Sequence, residues 1–259
     1  ISKDGEPLPG IAESWSVSSD RLEYRFKIKE DVFWHNGTPL TIEDILFTFD
    51  TAKALSEEFG FDSVGVSLIG VDVSKDGGDV VFKLSEPNPT FFEAVSLFIV
   101  PKSRLENVDL SQMAFDMFSR YPIGTGRYMV TRTEQNTVFL QDNKYDSREC
   151  DIQNIVFKVF PDKQSMEMSF RIGVLDAIGS WDYELLKFTE EYSNLSSFKK
   201  VENYRTKLLF FNTRRGTYKG KEIRLALNYL INKAALLENS GIGGVVRKGP
   251  FPEDSWAFN

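Results

Sequence analysis

Cysteine and histidine are nearly missing from this sequence: its 259 residues hold one of each, Cys150 and His35. A single cysteine cannot close an intrachain disulfide, and no acidic, histidine or cysteine cluster has metal-ligand spacing, so neither a metal site nor a resident cofactor is expected. A lone cysteine does not speak against export; it only withholds disulfides as a sign of it. No apolar run approaches the ~18 residues that suggest a membrane helix. No block of lysines and arginines gathers, and the net charge is −7 from 38 acidic and 31 basic residues. Nucleic acid and anionic membrane are poor partners for such a surface. The chain opens at Ile1 with no methionine and no basic, apolar leader. Either a removed leader or an excised piece of a longer protein is therefore expected.

Catalytic constellations are missing too. An acid–base centre would have to be built on His35, which stands at the mouth of an Asn36-Gly37 turn, where a ring packs beside Trp34 and reaches a backbone partner. Cys150 sits among Arg148, Glu149 and Asp151 in a connecting segment with no base near it in sequence. No Gly-x-Ser-x-Gly elbow occurs. The acidic pairs Glu43-Asp44, Glu57-Glu58 and Glu190-Glu191 are adjacent in sequence, so on helices they diverge by about 100° rather than converge. Gly124-Thr125-Gly126 is the one glycine cluster that invites a phosphate. It lacks the Lys-Ser/Thr of a P-loop, the third glycine of a dinucleotide fingerprint and a following helix, so a hairpin corner is the better reading. These absences together favour binding over turnover.

What is present is a large apolar and aromatic content. Apolar residues make up 41% of the chain, with 22 phenylalanines, nine tyrosines and four tryptophans. That is enough for one large core or two modest ones, and for clefts that grip varied ligands. Leu22 to Ile28 alternates at period two, as a strand with one wet face does, and Val32 to Trp34 extends it. Thr41 opens a helix, "TIEDILFTFDTAKAL", with acids in its first turn and Ile42, Ile45, Leu46, Phe49 and Ala52 on one stripe. Ile69 to Val73 and Val80 to Leu84 predict a hairpin across Asp76-Gly77-Gly78, and Arg127 to Val130 with Val138 to Leu140 predict another across Gln135-Asn136. A short helix is expected over Phe91 to Leu97.

After Cys150 the rhythm changes. Ile155 to Phe160, a helix over Lys163 to Ile172 and Val174 to Ile178 read as a β-α-β unit with a parallel pair. A helix is expected over Tyr183 to Thr189, a buried strand over Leu208 to Asn212, and one long helix over Lys221 to Glu238.

Several stretches taken in order resemble the family 5 solute-binding proteins of ABC importers, the dipeptide, oligopeptide and nickel binders. These are Asp4-Gly5, Pro9 to Trp15, Phe33 to Gly37, Pro39 to Asp44, Ile99 to Lys102, Pro122 to Gly126, Gly173 to Asp176, Phe211 to Thr213 and Ile223 to Lys233. Arg127 stands where that family usually has proline, and Tyr145-Asp146 where it usually has Tyr-Trp. Members run to roughly twice this length, so the resemblance is to their front half.

The resemblance implies an α/β, type II periplasmic-binding-protein-like lobe with a mixed sheet and an inserted, antiparallel, hairpin-rich α+β subdomain. The core would comprise residues 1–31 and 151–259, with 245–259 bordering a second lobe, and the insertion residues 32–150. It implies an extracytoplasmic monomer, not an enzyme, that captures a peptide by closure and delivers it to a membrane permease. A nickel chelate is the alternative cargo, and a ligand-sensing module of a regulator the alternative role. Candidate ligand contacts are Phe59 and Phe61, in a loop that by resemblance edges the cleft, and Phe211 and Asn212, at the end of a strand where α/β sheets place ligands. Packing or capping is the ordinary role of each.

Overall fold

The structure, a computed structural model, describes residues 6–59, 70–179, 208–214, 216–239, 244–247 and 249. Its contacts divide the chain after Pro161 into two units, Ile1–Pro161 and Asp162–Asn259.

The first unit is built from two antiparallel sheets. One has four strands in the order β1-β2-β4-β3: β1 Ala12–Val17, β2 Glu23–Ile28, β3 Val71–Asp76 and β4 Asp79–Leu84. The β3–β4 hairpin closes on Asp76 and Asp79 across Gly77-Gly78, with Gly77 at φ +61°, the backbone state that two-residue hairpin turns require. The second sheet is a meander of β5 Tyr128–Glu134, β6 Thr137–Asp142 and β7 Asn154–Lys158. Its first turn is the expected Gln135-Asn136 pair, flanked by partners Glu134 and Thr137.

One face of the four-stranded sheet is covered by α1 Ile42–Phe59 and by α2 Phe91–Ala94. Tyr24 and Phe26 from β2, Phe82 from β4, Phe49 from α1 and Phe91 from α2 form the aromatic centre of the core. Each is nearly solvent-free and edge-to-face or tilted against its neighbours, as ring quadrupoles prefer. Two further short helices, α3 Lys102–Leu105 and α4 Met117–Arg120, lead to the second sheet.

The expected division at Asp31 and Val32 falls between strands of one sheet: β1 pairs with β2, β2 with β4 and β4 with β3, and residues of β2, β3 and β4 share one core. Likewise β7, expected as the first strand of a parallel β-α-β unit, pairs antiparallel with β6 from Thr137↔Lys158 to Gln141↔Asn154. Val174 to Ile178 carries no strand. An apolar run such as Ile155 to Phe160 states that a strand is wanted but not which way its neighbour runs. Every pairing among the described strands is antiparallel.

In the second unit, α5 Lys163–Arg171 is capped by Asp162, whose carboxylate accepts the Ser165 N–H at 2.7 Å. The single helix expected over Lys221 to Glu238 is two: α6 Lys221–Leu230 and α7 Lys233–Asn239. Ile231 turns extended at ψ 108°, and the Asn232 side chain accepts the Ala235 N–H at 3.0 Å, beginning a new helix. Leu208 to Asn212 is neither a strand nor buried: Leu208, Leu209 and Phe210 are all exposed. The helix expected over Tyr183 to Thr189 and the segment after Gly249 lie outside the described residues.

Candidate functional site

Of the four residues singled out from sequence, Phe59, Phe211 and Asn212 lie among the described residues, and none of these three lines either of the cavities described below. Phe59 is the last residue of α1, not part of a following loop, and is 41% exposed. No glycine or proline precedes Gly60 to stop the helix sooner. Phe61 lies outside the described residues. Phe211 stacks tilted on Tyr218 with centroids 5.3 Å apart, and the Asn212 side chain accepts the Arg214 N–H at 3.0 Å. These are contacts of the packing and turn-capping kind.

Among the described residues of the first unit, two cavities stand out. One, of about 390 Å³, opens beneath Leu8 and Ile11 against Trp15, Phe26 and Phe92; its walls are apolar, and the Ser96 hydroxyl on its rim already donates to the Phe92 carbonyl. The other, of about 500 Å³, has the polar groups a binding site needs to orient a ligand. His35 and Asn36 form one side. Met129 and Gln141, directly opposite each other on β5 and β6, form a second. Asp142, Lys144 and Tyr145, where β6 ends, form the third.

Three loops meet here, and hydrogen bonds explain why. The Asn36-Gly37 turn is closed by Trp34 N–H to the Thr38 carbonyl at 2.8 Å, with Gly37 at φ +83°. The Gly124-Thr125-Gly126 corner is tied to that turn by His35. The His35 main-chain N–H donates to Gly124 O at 2.8 Å, Nδ1 accepts the Gly124 N–H at 3.1 Å, and Nε2 lies 3.0 Å from Gly126 O. The Gly124 N–H and the Gly124 and Gly126 carbonyls are thus engaged by the fold, as suits a hairpin corner. Buried Asn143 joins the third loop by donating to Gly126 O at 3.0 Å while its own Oδ1 accepts the Tyr145 N–H at 3.0 Å. Asp146, held below the usual carboxylate range chiefly by the Arg148 guanidinium, braces the loop's far end.

His35 and Cys150 do not form a catalytic pair, because both imidazole nitrogens are engaged by main chain. Cys150 sits instead beside the Tyr128 hydroxyl at 3.1 Å and donates to the Ile152 carbonyl at 2.9 Å. Its thiol is lowered from the ordinary value, first by the Tyr128 hydroxyl and then by Arg127.

Gly37 packs against this pocket's wall: a Cβ there would lie 2.6 Å from Tyr145 Cζ and Oη. Gly37→Ala is expected to cost about 1–2 kcal/mol from the positive φ alone and to push the Tyr145 ring aside. Urea unfolding of the intact protein checks this in two backgrounds. With Tyr145→Ala already present, Gly37→Ala should retain only the backbone cost; an equal loss in both would show that the ring contact contributes nothing.

Of the pocket residues, sequence reasoning had reached His35 and the Asn36-Gly37 turn but not Met129, Gln141 or Lys144. The visible signal was the departure at Tyr145-Asp146 from the usual Tyr-Trp.

Comparison with known proteins completes the picture. Residues 6–259 match the profile of the bacterial extracellular solute-binding proteins, family 5. The dipeptide-binding protein of Escherichia coli is 23% identical over 98% of this chain and 51% of its own length. Among solved structures, NikZ from Campylobacter jejuni in complex with Ni(L-His) is 26% identical with a TM-score of 0.75, covering 90% of this chain and 46% of its own. The oligopeptide-binding protein AppA from Bacillus subtilis with a nonapeptide is 24% identical with a TM-score of 0.74, covering 96% and 50%. This chain thus spans about half the length of these relatives, and its fold is that of a type II periplasmic-binding-protein lobe. Among the described residues no helix is long and apolar enough to cross a membrane. The chain belongs to the family 5 bacterial extracellular solute-binding proteins, which bind their substrates and are not enzymes.

Proposed function

We propose that the intact protein is the extracytoplasmic solute-binding component of an ABC importer, that its cargo is a peptide, and that the pocket between His35, Gln141 and Tyr145 contributes to the cleft. Capture is by closure of two lobes, and the closed form is what the membrane permease receives. The observation that carries the peptide reading is the chemistry of the pocket. Its walls bring side-chain amides, Asn36 and Gln141, together with one acid, Asp142, one amine, Lys144, and the flat ring of Tyr145. Amides match peptide bonds, opposite charges match peptide termini, and a ring with Met129 beside it tolerates varied side chains.

A nickel chelate is the second reading, favoured by the likeness to the Ni(L-His) complex. In such a cargo the imidazole comes with the ligand. The protein's part would again be to grip an amino-acid carboxylate, since the His35 ring nitrogens are already committed. Calorimetry of the intact protein decides between the two. Di- and tripeptides are expected to give saturable heat, and Gln141→Ala with Lys144→Ala to weaken it about tenfold or more, the loss of one or two charge-assisted contacts. Heat from nickel–histidine alone would overturn the peptide assignment.

A further inference from the structure

His35 bridges two main-chain groups of opposite demand. Nδ1 faces the Gly124 N–H and must accept; Nε2 faces the Gly126 carbonyl and must donate. Only the neutral ring with its proton on Nε2 satisfies both. A second proton on Nδ1 would set N–H against N–H across 3.1 Å, so the Gly124 contact cannot survive protonation. The same ring belongs to the pocket wall beside Asn36.

We propose that His35 is a positioning residue that couples proton uptake to the shape of the pocket: neutral, it staples the Gly124–Gly126 corner to the Asn36-Gly37 turn, and protonated, it releases the corner and weakens ligand binding. This rests on the reading of the pocket as part of the ligand cleft. The titratable groups that share the pocket with the ring come from the end of β6. They are the Asp142 carboxylate, the Lys144 ammonium and the Tyr145 phenol, with Lys144 Nζ lying 5.0 Å over the Tyr145 ring. From the corner itself the nearest charged side chain in sequence is Arg127, which is directed to Cys150.

Burial pushes the imidazole below its ordinary value, opposed only by the Gly126 hydrogen bond. The unfolded chain therefore takes up the proton first as pH falls below about 6.5. The stability and binding that depend on the neutral ring are complete above that pH. They decline as pH falls toward and through the lowered folded value.

The test uses the intact protein with trialanine as probe. Nitrogen-15 NMR of His35, assigned by loss of its signals in His35→Asn, should show the Nε2–H tautomer at pH 7.5, a midpoint below 6.5, and a Gly124 amide that shifts with the same midpoint. One pH unit below that midpoint the neutral fraction is about a tenth, so the trialanine Kd should rise about tenfold. His35→Asn keeps a side-chain oxygen for the Gly124 N–H but does not titrate, and should bind with a flattened pH profile. A Gly124 amide indifferent to the His35 titration, or a His35→Asn profile as steep as the parent's, overturns the proposal. Absence of trialanine heat at every pH overturns the pocket reading instead, and the Gly124 amide then decides corner release by itself.

Discussion

Phe91→Ala is expected to destabilise the intact protein by about 3–5 kcal/mol, the range for removing a buried phenylalanine ring. Phe91 is 1% exposed, and its ring lies 3.9 Å from Tyr24, 5.5 Å from Phe82, 6.0 Å from Phe92 and 6.4 Å from Phe26, centroid to centroid. It is the first residue of α2, a helix of only four residues. A single turn has no stability of its own in water, because the nucleation cost is not recovered over so few hydrogen bonds. The helix therefore persists because its leading side chain is embedded in the sheet. Truncation should cost both the ring and the docking of α2. Hydrogen exchange separates the two: the Ala94 and Val95 amides, which donate to Thr90 and Phe91 carbonyls at 3.0 Å, should lose protection further than those of β4. Phe91→Leu, which keeps an apolar branch, should lose less. A loss below about 0.5 kcal/mol for the alanine variant, the ordinary range for surface substitutions, would show that the ring is not the anchor.

How much of this arrangement was legible depends on the distance over which each bond is closed. The hairpin turns at Gly77-Gly78 and Gln135-Asn136 lie within two residues of both partners, and composition alone located them. The start of α1 was equally local: Thr41 followed three residues later by Asp44 is a capping pair, and the carboxylate does accept the Thr41 N–H at 3.0 Å. Asn232 is a readable helix start, but the apolar period runs straight through it and masks the break between α6 and α7. β7 was not decidable, since the identity of its neighbour depends on β6, whose demand for a partner is not written in Ile155 to Phe160. The pocket was the least legible feature. Asn36, Gln141 and Tyr145 are brought together by His35 and Asn143 contacts spanning tens of residues, and no pattern at period two or 3.6 reports them. The reading of Phe59 and Phe61 follows chain position in a resembling family, and that of Phe211 and Asn212 follows a strand expected over Leu208 to Asn212, which the chain does not form.

Asp44→Ala should be comparably damaging, at about 3–5 kcal/mol, for a different reason. Its carboxylate is 6% exposed as part of the residue and accepts from three separate elements. Oδ2 takes the Thr41 N–H and Thr41 hydroxyl at 3.0 Å and the Trp34 indole N–H at 3.4 Å, while Oδ1 takes the Lys102 N–H at 2.8 Å. One side chain thus joins the entry of α1, the buried Trp34 that leads into the pocket turn, and the first turn of α3, 58 positions away in sequence. One helical turn on, Thr48 repeats the link by donating to the Asp44 carbonyl at 2.8 Å and accepting the Val100 N–H at 3.0 Å. Removing the carboxylate orphans several donors at about 1–3 kcal/mol each, less whatever water recovers at the partly buried Thr41 and Lys102. Asp44→Asn is the sharper test. An amide has one oxygen, so its NH2 must face either Lys102 or the Thr41–Trp34 side, placing donor against donor. It should therefore recover at most half of the alanine loss, although its shape is nearly that of aspartate. The expected record is a lower urea midpoint at unchanged slope, with the Lys102 amide losing protection first. An asparagine variant as stable as the parent would mean that only one of the two oxygens holds these elements together.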